Sequence, residues 1–281
     1  MNAKPKIHRD IRQGHCTRVI AISGGKGGVG KSTITINLSV CLSRLNQRVM
    51  ILDADLGLAN IDVLLGLKAE RNLEDVYSGA CGLLDVTLEG PNNIRIIPAS
   101  SGTQSMVNLT SQQHAGLVHA FSDFADSIDT LVIDTAAGIS DSVIQFIRAA
   151  QEALIVVCDE PSSLTDAYAM IKLLHRDHGV HEFRIIVNQT RSEKEGIALY
   201  HRLLNTANQF LDVQLRYEGD IPYDDTLREA IKHQQAVSVK SPRSESAKAF
   251  KRLAERVLGW PVKSNPSGEL EFFVEQLLRN T

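Results

Sequence analysis

One stretch constrains this chain more than any other: Gly24-Gly25-Lys26-Gly27-Gly28-Val29-Gly30-Lys31-Ser32-Thr33. It contains G-x-x-x-x-G-K-[ST], with Gly25, Gly30, Lys31 and Ser32 in register, directly after the β-like run Arg18-Val-Ile-Ala-Ile-Ser23 and before a helical pattern. Glycines let a backbone wrap an anion without Cβ clashes, so that successive N–H groups point at phosphate oxygens. Gly25, Gly27, Gly28, Val29, Gly30 and Thr33 would form that cradle. Lys31 would reach the β- and γ-phosphates, Ser32 would ligate Mg²⁺, and the following helix would add the partial positive charge of its N-terminus. Lys26 is a second lysine in a loop that needs one, and spacing alone leaves it open to being a solvated charge.

From residue 18 to about 235, apolar runs of strand length alternate with helical patterns. That alternation predicts one α/β P-loop NTPase domain over 18–258, with a mostly parallel twisted sheet and helices on both faces. Before it lies a basic stretch, 1–17, read as a flexible arm. After it, 259–281 reads as a linker and an amphipathic helix. At 281 residues the chain can bury a sizeable core, and a net charge of -3 gives no global case for binding nucleic acid. The four cysteines (Cys16, Cys41, Cys81, Cys158) form no C-x-x-C pair, which fits thiols packed as small hydrophobes in a reduced cytosol. No apolar run approaches the ~18 residues of a membrane span.

Further chemistry sits at strand ends. Val49-Met-Ile-Leu-Asp53 runs into Asp53-Ala54-Asp55, two carboxylates at the edge where α/β sheets hold ligands. Asp53 reads as a turn cap or as one member of a pair that shares a cation. Thr130-Leu-Val-Ile-Asp134, followed by Thr135-Ala-Ala-Gly138, has the Walker B pattern: Asp134 would hold Mg²⁺ and Gly138 would let the backbone bend near the γ-phosphate. Phe183-Arg-Ile-Ile-Val187 ends at Asn188-Gln189, and an amide there can pair with the N6 and N7 of adenine. In the helical reading of 112–128, Ala115, Leu117, Val118, Phe121 and Phe124 form the apolar stripe and His114 and His119 are exposed. Near the C-terminus, Leu270, Phe273, Val274, Leu277 and Leu278 form a narrow stripe with Phe272 beside it. Glu269, Glu271 and Glu275 oppose only Arg279 there, which favours docking on protein over insertion into anionic lipid.

The combination Lys26-Gly-Gly-x-Gly-Lys31-Ser resembles the deviant Walker A of the MinD/ParA ATPases. The segments Asp53-Ala-Asp-Leu-Gly-Leu-Ala-Asn60, Pro98-Ala-Ser-Ser-Gly-Thr-Gln-Ser105, Asp134-Thr-Ala-Ala-Gly138 and Cys158-Asp-Glu-Pro-Ser-Ser-Leu-Thr-Asp-Ala-Tyr168 are similar to its FlhG/FleN branch, bacterial ATPases that limit flagellar number. This resemblance implies an ATP/ADP and Mg²⁺ switch that forms a homodimer with ATP, in which Lys26 crosses to the partner's nucleotide. It implies that Asp55 orients the attacking water near Mg²⁺, that Glu160 contacts the partner's nucleotide and first lysine, and that Asn188, Pro222 and Tyr223 surround adenine. The implied partners are a flagellar master transcription activator of the AAA+ class, and possible further ones are an FlhF-type GTPase, flagellar C-ring proteins and a membrane surface touched by the C-terminal helix. No direct nucleic-acid contact is expected, and the implied location is the cytoplasm, the inner membrane face or the cell pole. His8-Arg-Asp-Ile-Arg-Gln13 departs from the segment by which some FlhG proteins activate FlhF. Two other functions use the same scaffold: a ParA-like DNA partitioner, which needs a basic dimer surface that only 244–258 offers, and an iron–sulfur carrier, which needs paired cysteines.

Overall fold

A computed structural model describes residues 16–56, 60–99, 110–261 and 270–279. The strands are β1 (Arg18–Ser23), β2 (Val49–Ala54), β3 (Leu88–Glu89), β4 (Arg95–Ile97), β5 (Thr130–Thr135), β6 (Glu152–Cys158), β7 (Glu182–Thr190) and β8 (Gln214–Pro222). They form one sheet in the order β3-β4-β2-β5-β1-β6-β7-β8, parallel throughout except for the short antiparallel edge strand β3. The α-helices, in chain order, are α1 (Lys31–Arg44), α2 (Ile61–Leu64), α3 (Leu73–Tyr77), α4 (Ser111–Ala120), α5 (Asp141–Ala149), α6 (Pro161–His178), α7 (Glu193–Phe210), α8 (Asp225–Lys232), α9 (Val237–Lys240), α10 (Glu245–Leu258) and α11 (Val274–Arg279).

Successive strand residues point to opposite faces, and two cores result. Val19, Ala21, Leu131, Ile133 and Ile155 pack with Phe146 of α5, Met170 of α6 and Leu203 of α7. Ile20, Ile22, Val132, Leu154 and Val156 pack with Leu38 of α1 and Phe250 of α10. Burial on both faces explains why the central strands read as unbroken apolar runs rather than as alternating ones. Helix α6 starts at Pro161 and stops at Gly179, whose φ of 67° is the left-handed conformation that ends helices.

Three sequence expectations need correction. His114 is 1% exposed rather than on the surface, edge-on to Phe146 at 5.0 Å, and burial lowers its pKa. It falls at i, with Leu117, Val118 and Phe121 at i+3, i+4 and i+7, so it belongs to the buried stripe. His119 is exposed, 3.5 Å from Glu275.

The C-terminal stripe is also different. Helix α11 starts only at Val274, so no 3.6 period runs through 270–273. Phe272 and Phe273 are the buried pair, and Leu270 stays 41% exposed. Phe272 meets Phe121 edge-on at 5.3 Å, and its N–H donates to Ala149 O at 3.2 Å. Gln276 accepts from Thr17 N at 2.8 Å and donates to Ala125 O at 2.6 Å. The tail thus docks on its own domain. The third correction is that the helix read over 112–128 gives way to a 3-10 turn at Phe121–Phe124. The arm before Cys16, the turn after Ala99, the linker at 262–269 and the side chains of Leu277 and Leu278 lie outside the described residues.

The amino half of the sheet buries a charged network. Arg184 pairs with Glu152 at 2.7 Å and Glu218 at 2.6 Å and lies 3.9 Å above the Trp260 ring. Trp260 Nε1 donates to Glu218 at 3.0 Å, and Arg18 donates to the Trp260 carbonyl at 3.0 Å.

Candidate functional site

The carboxyl ends of β1, β2, β5, β6 and β7 converge on the glycine-rich loop. Gly25 lies so close to α6 that a Cβ there would collide with the Asp166 backbone, and one on Gly30 would collide with the Asn188 amide. Gly30 caps α1 at φ 96°, and the helix begins with Lys31. The first N–H groups of a helix have no partner within it, so those of Lys31, Ser32 and Thr33 form a ready anion site. Gly27 and Gly28 are exposed, Gly28 with φ 81°, while Val29 is buried. Gly138, at φ 91°, donates its N–H to Gly24 O at 3.2 Å and ties the end of β5 to the loop.

Lys31 is 8% exposed. Burial lowers its pKa, and the charges of Asp134 and Asp55 oppose that shift. Asp134 accepts from Thr35 Oγ1 at 3.1 Å and from the Ser32 hydroxyl. Thr35 escaped the sequence reading, although it stands one helical turn after Ser32. Asp53 lies directly opposite Asp134 in the β2–β5 register. Burial raises the pKa of both carboxyls, and the charge of Asp134 pushes Asp53 further. Asp53 accepts three backbone N–H groups, from Asp55 (3.1 Å), Asn60 (2.9 Å) and Ile61 (3.1 Å). Of its two readings, the turn cap is the one seen: Asp53 holds the loop that carries Asp55.

An excess of buried carboxylate beside one buried lysine suits a divalent cation. The donors, the Ser32 hydroxyl and the Asp134 carboxylate with Asp55 near them, are all oxygen, as Mg²⁺ prefers. Among the described residues no group of three His, Cys, Asp or Glu side chains could hold a metal alone, so the remaining ligands would be water and phosphate.

Lys26 points elsewhere. Its Nζ forms an ion pair with Glu160 of the same chain and a 2.9 Å hydrogen bond with Ser162 Oγ. Within one chain, therefore, Glu160 holds its own Lys26. Ser162 was missed in the sequence reading, and its place at the start of α6 was the available signal.

The residues expected around adenine lie on β7 and after β8. Asn188 is buried, donating to Val29 O at 2.8 Å and accepting from Gln189 N at 2.9 Å. One amide hydrogen and one lone pair remain on it for a base. Pro222 ends β8. Tyr223 is 51% exposed, and its hydroxyl accepts from Arg228 at 2.7 Å and donates to Asp225 at 3.2 Å.

A family model described as ParA, NUBPL iron-transfer P-loop NTPase matches residues 15–258. The chain belongs to the ParA/MinD family of P-loop ATPases. It is 57% identical over 266 residues to "Antiactivator FleN" of Pseudomonas aeruginosa, covering 95% of each chain. It is 32% identical to "Flagellum site-determining protein YlxH" of Helicobacter pylori, over 93% of this chain and 87% of that one. Among solved structures, MinD from Pyrococcus horikoshii complexed with Mg-ADP is 30% identical, with a TM-score of 0.71 over 86% of this chain and 96% of that one. The fold brings the P-loop lysine Lys31 together with Asp55 and Asp134 at one edge of the sheet. Among its described residues no helix is long and apolar enough to cross a membrane.

Proposed function

We propose that this chain is an ATP-driven dimerising switch that restrains a flagellar master transcription activator. The observation that carries the reading is the division of labour between two lysines of one loop. Lys31 is buried beside Asp134, while the side chain of Lys26 stays 36% exposed on the rim. A rim cation that can leave Glu160 for the γ-phosphate of a second copy makes dimerisation depend on that phosphate. Hydrolysis removes the phosphate, and the dimer loses those contacts.

In this reading the backbone from Gly25 to Gly30, with Lys31 and Thr33, cradles the phosphates. Ser32 and Asp134 hold Mg²⁺, and Asp55, anchored through Asp53, orients the attacking water. The leaving charge is stabilised by the buried Lys31 and the helix N-terminus, so positioning and electrostatics supply the catalysis. Asn188, Pro222 and Tyr223 border the adenine. The flagellar target is supported by the 57% identity to an antiactivator. The DNA-partitioner alternative is weakened on α10, where Lys248 pairs with Glu245 at 2.7 Å and Lys251 with Glu255 at 3.7 Å.

Size-exclusion chromatography with a non-hydrolysable ATP analogue tests the switch. Wild type and Asp55→Ala are expected as dimers, and Lys26→Ala as a monomer that still binds the analogue in calorimetry. Normal dimers from Lys26→Ala would overturn the reading.

A further inference from the structure

Thr35 stands on α1 at i+4 from Lys31, so the two side chains leave the helix along one stripe. That stripe faces the sheet: Lys31 is buried and Thr35 is 0% exposed. A hydroxyl in such a place needs a partner. Threonines inside helices have one at hand in the carbonyl four residues back, and this chain uses it elsewhere. On α6, Thr165 Oγ1 donates to Pro161 O at 3.0 Å, and on α7, Thr206 Oγ1 donates to Arg202 O at 3.0 Å. Thr35 instead sends its proton across to β5, where Oγ1 donates to Asp134 Oδ1 at 3.1 Å.

Asp134 is itself buried and accepts from the Ser32 hydroxyl as well. The two donors lie three residues apart on one helix, which places Thr35 about 4.5 Å further along the axis from the phosphate end than Ser32. A carboxylate can turn about its Cβ–Cγ bond, because that torsion has broad wells. A hydrogen bond to Oδ1 from deeper along α1 fixes the plane of the group and leaves acceptor capacity free on the side of Ser32.

We propose that Thr35 is a positioning residue for the divalent cation: its hydroxyl holds the Asp134 carboxylate in the orientation that serves the metal, while Thr35 itself touches neither metal nor nucleotide. The proposal rests on the reading of Ser32 and Asp134 as the metal site and adds the residue that orients it. Outer partners of metal ligands typically carry about 10–100-fold of the metal affinity.

Thr35→Val keeps the shape of the side chain and removes the hydroxyl, whereas Thr35→Ser keeps the hydroxyl and removes the methyl group. Calorimetry of ADP binding, run in EDTA and again across a Mg²⁺ titration, separates the metal from the phosphate cradle. In EDTA both variants are expected to bind ADP within about twofold of wild type. The Mg²⁺ concentration for half of its effect on ADP affinity should rise about tenfold or more in Thr35→Val and stay within about threefold in Thr35→Ser and in the control Thr206→Val. Thermal unfolding checks the fold of each variant, and Thr35→Ala carries the same expectation should the valine variant not fold. Wild-type Mg²⁺ dependence in Thr35→Val, equal impairment of Thr35→Ser, or a loss of ADP affinity in EDTA as large as that with Mg²⁺ would each overturn the proposal. Asp134→Asn, measured alongside, separates the two readings. A shifted Mg²⁺ dependence there without one in Thr35→Val removes only the role of Thr35, whereas an unshifted one removes the metal reading and the proposal together.

Discussion

At the amino half of the strands, Arg184 lies between Glu152 and Glu218 against the face of the Trp260 ring, and each carboxylate has a cation within 2.7 Å. At the carboxyl ends, Asp53 and Asp134 face each other across neighbouring strands, and the buried lysine beside them is held below its usual pKa by desolvation. Both regions bury ionisable groups, yet only the first, with Arg18 and Arg184 against Glu152 and Glu218, pairs them all as ions within the chain; at the second, Asp53 has no cation of its own among the described residues and its carboxyl is pushed up to about 8. A buried carboxyl that the fold leaves without a cation suits a ligand that brings one, as a nucleotide with its divalent cation would. The amino half should thus govern whether the protein folds, and the carboxyl edge what it binds.

The largest expected effect comes from breaking the balanced end. Arg184→Ala strands two buried carboxylates, and removing one partner of a buried pair costs about 3–5 kcal/mol. Urea unfolding should show that loss, while calorimetry on the folded protein should find ATP affinity unchanged. A change in ATP affinity as large as the change in stability would erase the distinction between the two ends.

Next is Lys31→Ala at the other end, which removes a buried cation from the phosphate site. A loss of about 100-fold in ATP affinity is expected, equivalent to about 2.7 kcal/mol. The chain should remain folded by circular dichroism. Unaltered affinity would break the assignment of Lys31 to phosphate.

A third effect is acid–base. Burial and the charge of Asp134 push the Asp53 carboxyl up to about 8, well above the ordinary carboxylate value near 4. A raised carboxyl binds its proton more tightly in the folded state, so its stabilisation is complete below the unfolded pKa. It is lost as pH rises through the folded one. The nucleotide-free protein should therefore lose stability between about pH 4 and pH 8, by at most about 1.4 kcal/mol per pH unit for each proton involved. Asp134→Asn should flatten that slope in thermal denaturation across the same range. An identical slope in wild type and variant would place the titration elsewhere.

The two ends also differ in how well the sequence announces them. The P-loop, the Walker B strand and the order of strands and helices are legible because each is local: fixed spacing, an apolar run, a helix period. Most strand limits match to within a residue, such as Arg18–Ser23 for β1 and Thr130–Thr135 for β5. The Arg184 network was hidden because Arg18, Glu152, Arg184 and Glu218 are far apart in the chain, and nothing local marks a charge as buried. His114 was misjudged by residue type although its spacing placed it in the core. The docking of the tail on protein was the favoured reading, but its apolar stripe was misplaced because a helix was extended across 270–273, where the backbone instead turns at Phe273 with φ 57°. Thr35 and Ser162 were passed over although helix spacing from Ser32 and the start of α6 placed them near the site; their partners, Asp134 and Lys26, emerge from the fold.

The smallest effect is expected at Glu160, and it sharpens the comparison most finely. Lys26 and Glu160 form an exposed pair, which water and salt screen so that it contributes little to the fold. Glu160→Gln should therefore shift the unfolding midpoint hardly at all, in contrast to Arg184→Ala. Its effect on dimerisation should be small for a different reason. If Lys26 leaves its own Glu160 and meets the Glu160 of the second copy, an ion pair is lost and a similar one gained, and the exchange nearly cancels. What remains is the contact of Lys26 with the phosphate, which no substitution at Glu160 removes. Analytical ultracentrifugation with a non-hydrolysable analogue should find Glu160→Gln within about threefold of wild type in dimer affinity, and Lys26→Ala without dimers. A Glu160→Gln protein that fails to dimerise would mean that the carboxylate touches the second nucleotide site directly. One that dimerises far more tightly than wild type would mean that the pair within one chain is a restraint with no counterpart across the interface.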